Sequence, residues 1–193
     1  MAAEIKIVEE ASQQRAMDPK KFAMWLFIVS AFMMFAALTS AYLVRKAGGN
    51  WFEFELPSLF YLTTGIILAS SATMHWAYIS AKRDNLEMTK VAIAITALLG
   101  VSFFVGQFMG WGQLVRESIH LVGNPSGSFV YVLSGMHMLH IIGGVVFLLI
   151  VLVAAFKYKV HSKRLSQIEL CATYWHFLDV LWLYLFVFLL LNR

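Results

Sequence analysis

Apolar residues dominate five stretches of the chain, and short polar segments separate them. The stretches cover 22–44, 57–81, 89–115, 128–156 and 170–191. Each has the roughly 20 residues an α-helix needs to cross the hydrocarbon core of a bilayer. Their apolar positions are continuous rather than alternating, which predicts helices and not the strands of a membrane barrel. The expected fold class is all-α, a polytopic membrane protein with five transmembrane helices. Residues 22–193 form this unit, and 1–21 form a polar N-terminal tail. No soluble domain, internal repeat or low-complexity segment interrupts the pattern.

The connections are short. In 45–56, Gly48, Gly49 and Asn50 suggest a turn, after which Trp51, Phe52 and Phe54 alternate with Glu53 and Glu55 as an interfacial stretch. Residues 82–88 form a polar turn and 157–167 a basic loop. The run Gly123-Asn124-Pro125-Ser126-Gly127 within 116–127 reads as a loop because of its breakers. Asp18-Pro19 has the form of a helix start, with Asp as cap and Pro at the first helical position.

Composition strengthens the membrane reading. The chain is 60% hydrophobic and 13% charged, whereas soluble domains carry about 25% charged residues. Its net charge of +4 does not point to nucleic acid, because the basic residues sit in loops and serve as topology signals. One side of a five-span chain collects Lys6, Arg15, Lys20, Lys21, Lys82, Arg83, Lys90, Lys157, Lys159, Lys163 and Arg164. The other side holds Arg45, Lys46, Arg116 and Arg193. This asymmetry places the N-terminus in the cytoplasm and the C-terminus in the periplasm, across a bacterial inner membrane. The tail has no apolar stretch of signal-peptide type. Cys171 is the sole cysteine, which excludes an intrachain disulfide and reads as a packing residue.

Small residues mark close helix approach: Ser102, Gly106 and Gly110 at four-residue spacing, 69–73 on the second helix, and Ser134, Gly135, Gly143 and Gly144 on the fourth. Ionisable groups within the apolar stretches call for a reason, since charge is costly in a membrane. They are His75, the pair His137 and His140, and His176 with Asp179 one turn later. Haem or metal ligation is one reading, but no Glu-x-x-His pattern demands it. A proton path is a second, though a single deep carboxylate makes a poor continuous route. The third is structural and weighs most: His176 or a neighbouring helix's histidine pairs with Asp179 and sets helix register. The six tryptophans lie mostly near predicted helix ends, as interfacial belts do, with Trp182 deeper as a packing or lipid-facing residue. No nucleotide loop, nucleophile–base pair or CxxC motif is present.

The last helix carries Tyr174-Trp175-His176-Phe177-Leu178-Asp179-Val180-Leu181-Trp182, which resembles the Trp-His-Phe-(Val/Leu)-Asp-x-x-Trp signature of subunit III of the haem–copper respiratory oxidases. The fourth helix agrees through Gly135-Met136-His137-Met138-Leu139-His140 and Gly143. So does the second, through Ser70-Ser71-Ala72-Thr73-Met74-His75-Trp76, and the first, through Ser40-Ala41-Tyr42-Leu43-Val44-Arg45. Leu99-Gly100 and Gln107 on the third fit less sharply. The resemblance spans all five helices in order.

It implies a chain without haem, copper or a catalytic centre of its own, bound to the side of subunit I in a complex with subunit II. The partner subunits hold the haem and copper and reduce oxygen to water. This chain would protect that site from turnover-linked inactivation and sustain proton uptake. His75, His137, His140, His176 and Asp179 would be internal polar contacts. Bound phospholipid is implied, with Arg45, Trp76 and Trp182 as candidate contacts, and a respiratory supercomplex is a further candidate partner.

Three departures matter. Many relatives have seven helices, and this chain resembles a shorter form lacking the first two, so a lipid cleft would need partner helices. Ala31 follows Ser30 where relatives often have a glutamate, and Gly110 stands where another glutamate is common. A quinol oxidase or nitric oxide reductase accessory subunit remains an alternative. So do a stand-alone transporter and a haem-binding membrane cytochrome. Against the transporter, Pro19, Pro57 and Pro125 all lie at helix ends or in loops.

Overall fold

A computed structural model describes residues 18–157 and 165–192. The predicted tail lies outside the described residues apart from 18–21, as does most of the basic loop. Five α-helices follow in order: α1 Pro19–Ala47, α2 Ser58–Lys82, α3 Leu86–Arg116, α4 Pro125–Phe156 and α5 Ser166–Asn192. Among the described residues there is no strand. The fold is all-α, as the pattern predicted.

Caps explain why the helices outrun their apolar stretches. Asp18 Oδ1 accepts from the Lys20 N–H at 3.0 Å, with Pro19 at the first helical position. Asn85 Oδ1 accepts from the Met88 N–H at 3.2 Å and starts α3 ahead of its apolar run. Asn124 Oδ1 accepts from the Ser126 N–H at 3.0 Å. The run Asn124-Pro125-Ser126-Gly127, expected as loop, is therefore the cap and first turn of α4. Proline suits that position because its missing N–H would have no partner there anyway.

Four helices are long and apolar enough to cross a membrane: α1, α3, α4 and α5. The exception, α2, has the length but carries Thr63, Thr64, Ser70, Ser71 and Thr73 along its middle. Thr63, Thr64 and Ser70 are buried. Its polarity is thus turned mostly inward, where partner helices satisfy it.

Helix α2 runs antiparallel to both of its main neighbours. Thr63 meets Gln107 while Thr73 meets Thr96, so α2 and α3 run antiparallel. Thr64 meets Trp182 while Ser71 meets His176, so α2 and α5 are antiparallel as well. By contrast α1 and α5 run parallel, joined at one end by Lys21–Glu169 at 2.9 Å and at the other by Tyr42 Oη donating to the Asn192 carbonyl at 2.9 Å. The helix α5 touches α1, α2 and α4 and is the most enclosed. In its most apolar stretch 56% of positions are buried, against 22–33% in α1, α3 and α4.

Close approach depends on glycine at two faces. A Cβ on Gly100 would lie 2.7 Å from the Trp175 ring, and one on Gly144 would lie 2.9 Å from Leu178. Gly106 and Gly110 face Thr63 and Phe60 of α2. Ser102 does not join that contact; its hydroxyl donates back to the Leu98 carbonyl. The small-residue stripe therefore serves packing within the bundle at Gly106 and Gly110.

Candidate functional site

A run of inter-helix polar contacts gathers on α2. The hydroxyls at 63 and 70, and those at 64 and 71, are seven residues apart, the two-turn spacing that keeps side chains on one face of a helix. Thr64 Oγ1 accepts from the Trp182 indole N–H at 3.0 Å, and Ser70 Oγ accepts from the Trp175 indole N–H at 3.1 Å. Thr63 Oγ1 accepts from Gln107 Nε2 at 3.0 Å. Thr73 and Thr96 hydroxyls meet at 2.8 Å, and Ser71 Oγ meets His176 Nδ1 at 2.7 Å. Each bond answers a polar group that would otherwise be stranded in an apolar interior. The sequence pattern exposed the tryptophans and the serines but gave no prominence to Thr63, Thr64 and Thr96. For Thr64 the signal was Trp182, whose buried indole N–H needs an acceptor; Gln107 and Thr73 play that part for Thr63 and Thr96.

The expected site residues fall into separate groups. His137 is fully buried, caged by Phe103 (ring centroids 6.0 Å), Trp182 (5.2 Å) and Phe35 (6.5 Å). Neither of its nitrogens has a hydrogen-bond partner among the described residues. His140, one turn on, donates from Nδ1 to the Met136 carbonyl at 2.7 Å. A carbonyl only accepts, so Nδ1 carries the proton. Phe27 and Phe35 flank that ring.

On the other side of α5, His75 is exposed and its ring lies 6.1 Å from that of His176. Asp179 is 2% exposed, and neither carboxyl oxygen has a hydrogen-bond partner among the described residues. The expected His176–Asp179 pair is not formed. Ser71 takes the His176 Nδ1 instead.

The candidate lipid contacts divide likewise. Trp76 is 42% exposed. Arg45 donates from Nη1 to the Gly49 carbonyl at 3.0 Å at the end of α1. Trp182 is 0% exposed. It is a core residue rather than a lipid-facing one, because its indole N–H seeks the Thr64 hydroxyl and its ring packs on Phe60, Phe103 and His137. Trp175, also 0% exposed, belongs to the core too and not to an interfacial belt.

Among the described residues, no group of three or more His, Cys, Asp or Glu is placed to hold a metal ion. Several polar side chains bind one another helix to helix, and others bond back to their own helix's carbonyls.

These features define a multi-pass, all-helical membrane protein with a hydrogen-bonded interior. Residues 6–192 match the family model described as cytochrome c oxidase subunit III, and the chain belongs to that family. It is 31% identical over 200 residues to cytochrome c oxidase subunit 3 of Pelomedusa subrufa, covering 94% of this chain and 74% of the relative. It is 32% identical over 181 residues to the proteins of that name from Petromyzon marinus and Rattus norvegicus, covering 86% of this chain and 67% of each. As a family member it is a subunit of a respiratory oxidase complex, alongside other oxidase subunits.

Proposed function

We propose that this chain is the non-catalytic accessory subunit III of an aa3-type cytochrome c oxidase. It packs against subunit I, near subunit II, and preserves the oxygen-reducing centre and cytoplasmic proton uptake during turnover. The haem and copper belong to the partner subunits. The observation that carries this reading is the family match along 6–192. The interior adds support: its histidines sit in separate settings, and several of its polar groups are committed to helix–helix bonds. A bundle built that way restrains neighbours rather than performing chemistry.

In this reading all five helices cross the membrane, α2 included, because its hydroxyls are met inside the bundle. The Lys-rich and Arg-rich side faces the cytoplasm of a bacterial cell, and the C-terminus the periplasm. Residues 22–193 act as one subunit III unit. Phospholipid is held at its surface. An apolar groove of about 560 Å³ between α1, α4 and α5, lined by Met24, Phe27, Phe147 and Leu170 with Lys20 near the helix start, has the character of an acyl-chain seat. Arg45 and the exposed Trp76 are candidate headgroup and interface contacts.

The test compares the purified oxidase with and without this chain. The reading predicts similar initial turnover but fewer turnovers before inactivation in the depleted enzyme. Equal lifetimes would refute it.

A further inference from the structure

Asp179 and His137 are buried ionisable side chains without a hydrogen-bond partner among the described residues. Asp179 begins about 20 Å along α5 from its first residue, at 1.5 Å per residue, which is deep in the bilayer. Both of its oxygens lack a hydrogen-bond partner among the described residues. An ionised carboxylate without a partner is very costly in such a place. Asp179 lies one turn beyond His176 and one turn before Trp182 on α5, so it faces α2 between the Ser71–His176 and Thr64–Trp182 contacts. Ser71 in turn is bonded to His176 Nδ1 at 2.7 Å. The His176 ring lines a surface pocket of about 240 Å³ together with His75, Tyr78, Glu169, Ala172 and Thr173. That pocket opens near the start of α5, on the basic side of the protein, with Lys21 paired to Glu169 at its edge.

We propose that Asp179 is a proton-binding site inside the membrane that exchanges its proton with the basic side through Ser71 and His176. A serine hydroxyl has one proton to give and two lone pairs to accept with, so Ser71 can serve His176 and Asp179 in turn by rotating about its Cα–Cβ bond. On loading, the pocket delivers a proton to His176 Nε2. The Nδ1 proton passes to Ser71 Oγ as the Ser71 hydroxyl proton passes to Asp179, which becomes a neutral acid. The histidine is left neutral in its other tautomer, so charge and protons balance. Unloading runs in reverse. The titratable and charged groups facing the route are His75 and Tyr78 from α2, His176 and Glu169 from α5, and Lys21 from α1. The route ends at Asp179 and does not cross the membrane. It is a proton store, and it stands whether or not the chain protects an oxidase centre.

The experiment is infrared spectroscopy of the intact membrane complex during exchange from H₂O to D₂O at neutral pH. Asp179→Asn assigns the C=O stretch of the protonated carboxyl by its loss, and Asp179→Glu assigns it by a shift if the Asn variant does not assemble. In the wild type this band moves promptly on deuteration. In Ser71→Ala and His176→Phe it moves at least about tenfold more slowly, an added barrier of about 1.4 kcal/mol. Thr73→Val, which removes a different α2 hydroxyl, leaves the rate unchanged. Two results overturn the proposal: no protonated-carboxyl band assignable to residue 179, or an exchange rate that Ser71→Ala and His176→Phe leave at the wild-type value.

Discussion

Replacing Thr64 by Val tests whether α2 holds α5 through hydroxyl–indole bonds. Valine keeps the shape of threonine but removes the acceptor that Trp182 uses at 3.0 Å. Trp182 is 0% exposed, so no water replaces the lost acceptor. A buried donor left without a partner costs about 1–3 kcal/mol. Inter-helix hydrogen bonds in membranes average about 0.6 kcal/mol and reach about 1.7, because unfolded segments find other partners in the bilayer. The expected loss for Thr64→Val is therefore about 1–2 kcal/mol. Thr64→Ser retains the acceptor and loses one methyl, about 0.8 kcal/mol. The assay is unfolding of the detergent-solubilised chain with rising SDS fraction, run as a double-mutant cycle with Trp182→Phe. The cycle predicts a coupling of about 0.5–1.5 kcal/mol, since the phenylalanine no longer asks for an acceptor. Zero coupling, or Thr64→Val as stable as the wild type, would refute the reasoning.

The same unfolding assay should separate two glycines. Gly100→Ala drives a Cβ to 2.7 Å from the Trp175 ring and should cost about 1–3 kcal/mol, whereas Gly65→Ala meets nothing within 4 Å and should be neutral or stabilising. Asn124→Ala should cost about 0.5–2 kcal/mol by removing the α4 cap, while Asn124→Asp keeps the acceptor and retains most of the stability. A periplasm-dependent reporter fused to the C-terminus should be active, and one that functions only in the cytoplasm should be silent; the opposite pair of results reverses the proposed topology.

The all-helical fold was legible because a run of 20 apolar residues has few other uses. Helix ends were less so. Hydropathy cannot see that Asn85 and Asn124 cap helices, and Asn-Pro-Ser-Gly has the same composition whether it forms a loop or a first helical turn. The histidines and Asp179 stood out at once, yet their partners did not. His176 and Asp179 share a face of α5, which suggested a pair, but the third dimension brings Ser71 of α2 to His176 instead. Whether Trp182 packs in the core or faces lipid was left open for a related reason. Depth along a helix follows from residue number, whereas the choice between lipid and core depends on which neighbours surround that face. Thr64 and Phe103 decide it here, and both are remote in sequence.

The central claim is that this chain works as an accessory part of a larger oxidase. Its most direct test is purification through a tag on this chain in mild detergent, followed by a reduced-minus-oxidised visible spectrum. Co-purifying catalytic subunits and an oxidase haem spectrum are the expected result. A colourless chain that purifies alone, under conditions that keep other membrane complexes whole, would contradict it.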